Sequence, residues 1–207
     1  TQAKLDETLL SSFESQGVKQ LSITSVNAAM GREFFIKCLV AVVFGGLLMI
    51  IYIAFRFKKV GGWSAGAFAV LALFHDIFIV FGTFVLCRIE LNDSFMAVIL
   101  TILGYSINDT IVIYDRIREN KRLYAKTKSI SDIVDLSINQ SLTRTINTSL
   151  CTILSMVVVC VVALVMGVES ILSFAFPIIV GLTIGTYTSL CIAPTLWATW
   201  QEHKAKK

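Results

Sequence analysis

The chain alternates between five long apolar runs and short polar interruptions. The runs lie at about 34–55, 62–87, 95–114, 142–167 and 172–199. A helix needs roughly 20 apolar residues to cross the hydrocarbon core of a bilayer, so the pattern predicts five transmembrane helices. The links after the first, second and fourth runs are short, whereas the link between the third and fourth is longer and charged. Within that link, "SISDIVDLSINQSLTRT" is amphipathic. Ser129 and Asp132 have the spacing of a capping box, and Ile130, Ile133, Val134 and Ile138 can face the membrane or a neighbouring helix. This reads as a connector helix feeding a fourth span that begins near Ile138. Residues 1–33 are polar. Leu5, Leu9 and Phe13 recur at helical spacing, Gly17 suits a C-cap, and "QLSITSV" has the pattern of a strand. One helix and one strand cannot enclose a core. The segment therefore reads as the end of a small α+β domain completed by strands upstream or on another chain. The expected fold is an all-α polytopic membrane protein, with residues 1–33 outside the membrane, 34–199 forming the bundle and 200–207 a tail.

Composition supports a membrane protein. The 207 residues are 56% hydrophobic and 15% charged, against about 25% charged in soluble domains. Cys38, Cys87, Cys151, Cys160 and Cys191 all lie in or beside apolar runs. None has metal-ligand spacing, so they read as packing residues. Charge placement sets the expected orientation. The basic residues gather in "RFKK", "DRIRENKRLYAKTK" and the tail "EHKAKK", while "RIELND" and "GVES" at the other ends of the spans hold only Arg88. The positive-inside rule puts the three clusters and the C-terminus in the cytoplasm. Five spans then put residues 1–33 outside, which leads us to expect a further apolar span upstream of Thr1.

Polar residues inside the runs narrow the possibilities. A charge at mid-bilayer costs about 2.5–3.5 kcal/mol on insertion scales, so such residues usually face a protein interior or water. In "GYSINDTIVIYDRIREN", Asn108 and Asp109 interrupt an apolar run, with Asp109 about fourteen residues into the third span and ~10 Å short of its cytoplasmic end. Tyr105, Ser106 and Asp109 share a face, and "ND" is expected to point inward. In the fourth run, Ser141, Arg144, Thr148, Cys151 and Ser155 recur at spacings of three and four as a polar stripe. Arg144 is expected at a depth similar to Asp109, so that the two meet across antiparallel helices. Two readings stay open for such a pair. One is a static ion pair. The other is a titrating carboxylate modulated by an arginine, since burial favours the neutral acid and a nearby guanidinium the carboxylate. His75 and Asp76 lie near the centre of the second run. As sequence neighbours they diverge by about 100° on a helix, so one can line a path while the other bonds a neighbouring helix. Gly181 and Gly185 form a small-xxx-small face suited to close helix packing.

No HExxH, Walker A loop or His/Cys cluster is present in the sequence, which argues against an enzyme and against a bound metal or cofactor. Energy for any transport would come from an ion gradient or a partner. "GYSINDTIVIYDRIREN", "SINQSLTRTINTSL", "ALFHDIF" and "GTYTSLCIAP" all fall within about 31–200, and together they resemble the SecF family of bacterial protein-export subunits, within the resistance-nodulation-division superfamily. "SVNAAMGREF" departs from the Gly-Pro segment with which that family enters the membrane. The resemblance implies a six-span bundle of which five spans are visible, in the bacterial cytoplasmic membrane. It implies SecD as partner, or as the other half of a SecDF polypeptide, together with the SecYEG channel, unfolded exported preproteins and surrounding lipid. It also implies use of the proton-motive force, with the proton path carried by Asp109 and Arg144. A small-molecule exporter of the same superfamily and a structural translocon subunit that moves no protons are the alternatives.

Overall fold

The computed structural model of the chain describes residues 28–58 and 61–205. The helix and strand expected before residue 28 lie outside the described residues. The chain divides into two compact units, Thr1–Lys37 and Cys38–Lys207, and the second is the helix bundle considered below.

Among the described residues, six α-helices follow one another: α1 Ala28–Arg56, α2 Gly62–Leu86, α3 Asp93–Tyr124, α4 Ile130–Met166, α5 Glu169–Tyr187 and α6 Ala193–Ala205. A π-helical turn, Thr188–Ile192, joins α5 to α6. Among the described residues, five stretches are long and apolar enough to span a membrane, α5, the π turn and α6 together making the fifth. The described residues form an all-α bundle with the spans of a multi-pass membrane protein.

Local chemistry explains the helix ends. Asn92 caps α3 by accepting from the Ser94 amide at 3.0 Å. Ser129 and Asp132 form the expected reciprocal capping box at the start of α4. Gly167, at φ 70°, closes α4 in the left-handed region that glycine adopts without a Cβ penalty. The connector and the fourth span prove to be one continuous helix of 37 residues starting at Ile130, not a span starting near Ile138. At ~1.5 Å per residue this is roughly 55 Å, well beyond the ~30 Å of hydrocarbon. Helix α3, with 32 residues, is also longer than a span. Both helices therefore carry their charged ends out of the apolar layer.

Contacts bring these charged ends together at one end of the bundle. Arg56 at the end of α1 lies 3.4 Å from Asp115 on α3. Glu202 on α6 accepts from the Ser131 amide on α4 at 3.1 Å. Trp197 donates to Ser64 on α2 at 3.2 Å. Beneath this layer, Phe57, Tyr114 and Trp197 pack with Ile53, Ile113 and Leu190 as a buried core. The Tyr114 and Trp197 rings meet edge-on, with centroids 5.9 Å apart. Large apolar side chains such as Phe44, Phe78, Leu154 and Val165 stand on the outer surface, as expected where lipid or another membrane helix is the solvent.

Candidate functional site

Helix α3 carries two adjacent polar stripes in its membrane portion. Tyr105 and Asp109, four residues apart, form one, and Ser106 and Thr110 form the other. Tyr105 donates its hydroxyl to Ser149 on α4 at 3.2 Å, and Thr186 on α5 donates to the same Ser149 oxygen at 2.7 Å. Asp109 is 3% exposed. The groups that act on its charge are the Ser149 hydroxyl and, at longer range, the Arg144 guanidinium. Its Oδ2 is buried with no hydrogen-bond partner, and so is the Thr145 hydroxyl oxygen on α4. A buried polar atom without a partner costs about 1–3 kcal/mol. Such a carboxylate oxygen is suited to receive a proton or a water.

The face that α4 turns inward differs from the expected polar stripe. Ser137, Ser141, Thr145 and Ser149 are buried at intervals of four, whereas Arg144, Thr148, Cys151 and Ser155 are exposed. Thr148, Thr152 and Ser155 each donate to the carbonyl four residues back, at 2.9, 3.0 and 2.9 Å. These hydroxyls thus tolerate an outward position. Asn108 is also exposed, so only Asp109 of the "ND" pair points inward. Among the described residues Arg144 forms no ion pair with Asp109. It lines a polar groove with Asp115, Arg116, Glu119, Gln140 and Ser141. The early start of α4 accounts for this position. Counting roughly 20 residues back from Met166 leaves Arg144 at the edge of the hydrocarbon, where a long cationic side chain reaches toward water. The groove is stiffened by Arg116, which bonds Gln140 at 2.7 Å and Glu119 at 2.6 Å, and by buried Asn120, which bonds Ser137 and Gln140, each at 2.8 Å.

The second stripe of α3 meets α2 and the π turn. Asp76 is fully buried, while neighbouring His75 is exposed, as their sequence adjacency requires. Asp76 Oδ2 accepts from Ser106 at 2.9 Å and Oδ1 accepts from Thr188 at 2.5 Å. His75 Nδ1 lies 3.5 Å from Oδ1. Ser189 stands 3.0 Å from the Thr110 hydroxyl and 3.4 Å from that of Ser106. The π turn makes this possible, because one extra residue in a turn rotates the rest of the helix by about 100°. Two glycines let the backbones approach. A Cβ on Gly185 would lie 3.3 Å from Ser106 Cβ, and one on Gly181 would overlap the Ile102 side chain. Sequence reading singled out Asp76 and both glycines, with Thr188 and Ser189 only as small residues beyond the glycine face, and it missed Ser106's role, Thr145, Ser149 and Thr186. The four-residue repeat Ser137, Ser141, Thr145, Ser149 was the available signal.

These elements define a class: a polytopic membrane protein whose two buried acids and their hydroxyl partners form a polar layer across an apolar bundle. Residues 6–203 match the family described as "Protein export membrane protein SecD/SecF, C-terminal", and the chain belongs to that family. It is 38% identical over 189 residues to the protein translocase subunit SecDF of Bacillus subtilis, covering 90% of this chain and 24% of that protein. It is 36% identical over 195 residues to the protein translocase subunit SecF of Alicyclobacillus acidocaldarius, covering 94% of this chain and 61% of the relative. A crystal structure of SecDF in a "super-membrane-facing form" superposes with a TM-score of 0.77 at 34% identity, over 99% of this chain and 27% of that one. The crystal structure of SecDF from Thermus thermophilus gives a TM-score of 0.73 at 39% identity, over 86% of this chain and 23% of that one. The chain thus spans about a quarter of its SecDF relatives and about six-tenths of its SecF relative.

Proposed function

We propose that this chain is the membrane portion of a SecF-like accessory subunit of the Sec protein translocase. It works with SecD, as a separate subunit or as the other half of one polypeptide, and uses the proton-motive force to promote export through the SecYEG channel. Unfolded preproteins are the cargo. The membrane is the bacterial cytoplasmic membrane, with the shared basic end of the bundle in the cytoplasm. The role is transport rather than catalysis of a covalent reaction.

The observation that carries the proton reading is Asp109, a buried carboxyl with one unpartnered oxygen, inside a membrane span, under the electrostatic influence of Arg144. Arg144 cannot give up its proton, so Asp109 is the carrier and Arg144 the modulator. The two are apart in this structure. A conformation that brought the guanidinium to the carboxyl would favour its ionised form, and separation would favour the acid. Alternation between the two would move a proton between the sides of the membrane. A 100 mV potential supplies about 2.3 kcal/mol per charge.

Pulse-chase export of a preprotein in cells tests this reading. Asp109→Asn in the full-length protein is expected to co-purify with SecD normally yet slow preprotein maturation to the rate seen without the protein. Maturation at the wild-type rate would leave only a structural translocon subunit.

A further inference from the structure

Asp76 has an environment of its own, separate from that of Asp109. On α2, His75 is the one titratable neighbour, with Nδ1 3.5 Å from Asp76 Oδ1. From α3 comes Ser106, from the π turn Thr188, and from α5 Gly185. None of these is charged. The α1 face packed along this part of α2, around Val42, Val43, Gly46 and Leu47, is apolar. Asp109 lies on α3 but is turned toward α4. Among the described residues, no lysine or arginine pairs with Asp76.

The hydroxyl hydrogens at this cluster each have more than one acceptor within reach. Thr188 has one hydroxyl hydrogen and two acceptors within reach, Asp76 Oδ1 and the Ile184 carbonyl at 2.7 Å. Ionised Asp76 takes that hydrogen, and the Ile184 carbonyl keeps the Thr188 backbone N–H that it also accepts. Asp76 protonated on Oδ2 can donate back to Ser106 and is a weaker acceptor at Oδ1, so the Thr188 hydrogen is free to turn to the Ile184 carbonyl. Thr110 likewise chooses between the Ser106 carbonyl at 3.0 Å and Ser189, and Ser189 between the Ser106 carbonyl at 3.1 Å and the Ser106 hydroxyl. A cluster with two complete hydrogen-bonding arrangements, differing by one proton at the carboxyl, is a proton-binding site.

We propose that Asp76 is a second proton-binding carboxyl of this bundle, reached through the hydroxyls of Thr110, Ser189 and Ser106. The inference rests on the reading that the protein moves protons, and it adds a site that does not involve Arg144. A proton delivered by water to Thr110 Oγ1 displaces that group's own hydrogen onto Ser189 Oγ. The Ser189 hydrogen passes to Ser106 Oγ, and the Ser106 hydrogen to Asp76 Oδ2. One O–H bond forms and one breaks at each hydroxyl. The net change is one proton moved from water to the carboxylate, with no electron transferred. The π turn senses the event, because loading Asp76 at Oδ2 removes the carboxylate charge and so weakens the bond that Thr188 donates to Oδ1.

Infrared difference spectroscopy of the full-length protein with SecD in lipid bilayers, between alkaline and acidic buffer, tests the proposal. A protonated carboxyl band is expected to appear on acidification, to vanish in Asp76→Asn and to persist in Asp109→Asn. Thr188→Val, which keeps the carboxyl but removes a partner, is expected to retain the band at a shifted frequency. A spectrum unchanged by Asp76→Asn, or an Asp76 band of constant intensity at every pH, would overturn the proposal. Should Asp76→Asn not assemble, the Thr188→Val and Ser106→Ala proteins decide, since a titrating band displaced by neither also overturns it. A normal export rate in Asp109→Asn with the Asp76 band intact would instead count against the Asp109 reading alone.

Discussion

Asp109 and Arg144 differ in burial more than their similar positions in the motifs suggest. The carboxyl is enclosed between α3 and α4, while the guanidinium stands in a groove at the bundle's charged end. A planar fork can engage Asp115, Glu119 or the Gln140 amide in this position and a carboxylate in another, which a lysine ammonium cannot reproduce. Arg144→Lys is therefore expected to lower gradient-driven export about tenfold, equivalent to ~1.4 kcal/mol on the barrier, with assembly unchanged. Export rates from vesicles carrying the variant check this. Asp109 and Asp76 were readable in the sequence because a carboxylate in an apolar run is costly anywhere except in a protein interior. The hydroxyls around them were not. Serine and threonine can satisfy themselves on the carbonyl one turn back, as Thr148, Thr152 and Ser155 do. Their presence in a run thus says little about which face is buried.

At the scale of elements, the five spans follow from run length alone. The joining of connector and span into α4 does not, because an amphipathic segment and an apolar one look like two helices when no breaker is sought between them. The π turn is also invisible in composition, since Thr188–Ile192 contains neither glycine nor proline. The close packing of α5 was readable from Gly181 and Gly185. Its partners, Ile102 on α3 and Val80 on α2, required the structure. In a bilayer, helices associate through packing rather than through burial from water. Gly181→Leu is expected to cost about 1–3 kcal/mol by overpacking, seen as a lower thermal midpoint in detergent. Gly104, where a Cβ would meet nothing within 4 Å, is the control. Gly104→Ala should leave the midpoint unchanged or raise it, because alanine is the better helix former.

For the whole molecule, the expected orientation rests on the basic clusters, and the structure places the end of α1 at Arg56, the α3–α4 junction and α6 at one end through Arg56–Asp115 and Ser131–Glu202. Lys204→Cys in an otherwise cysteine-free protein is expected to resist a membrane-impermeant thiol reagent in intact cells and to react after permeabilisation. Labelling in intact cells would invert the topology. The polar layer made by Asp76, Ser106, Thr110, Asp109 and Ser149 lies between this end and the opposite one, as the proposed proton carriage would require. The most direct measurement of its role is preprotein export by inverted membrane vesicles after ATP hydrolysis has been stopped, with a proton gradient imposed and then collapsed by a protonophore. Wild-type vesicles should continue export under the gradient and cease on its collapse, and Asp109→Asn vesicles should not respond to the gradient at all. An equal gradient response from Asp109→Asn vesicles would contradict the account.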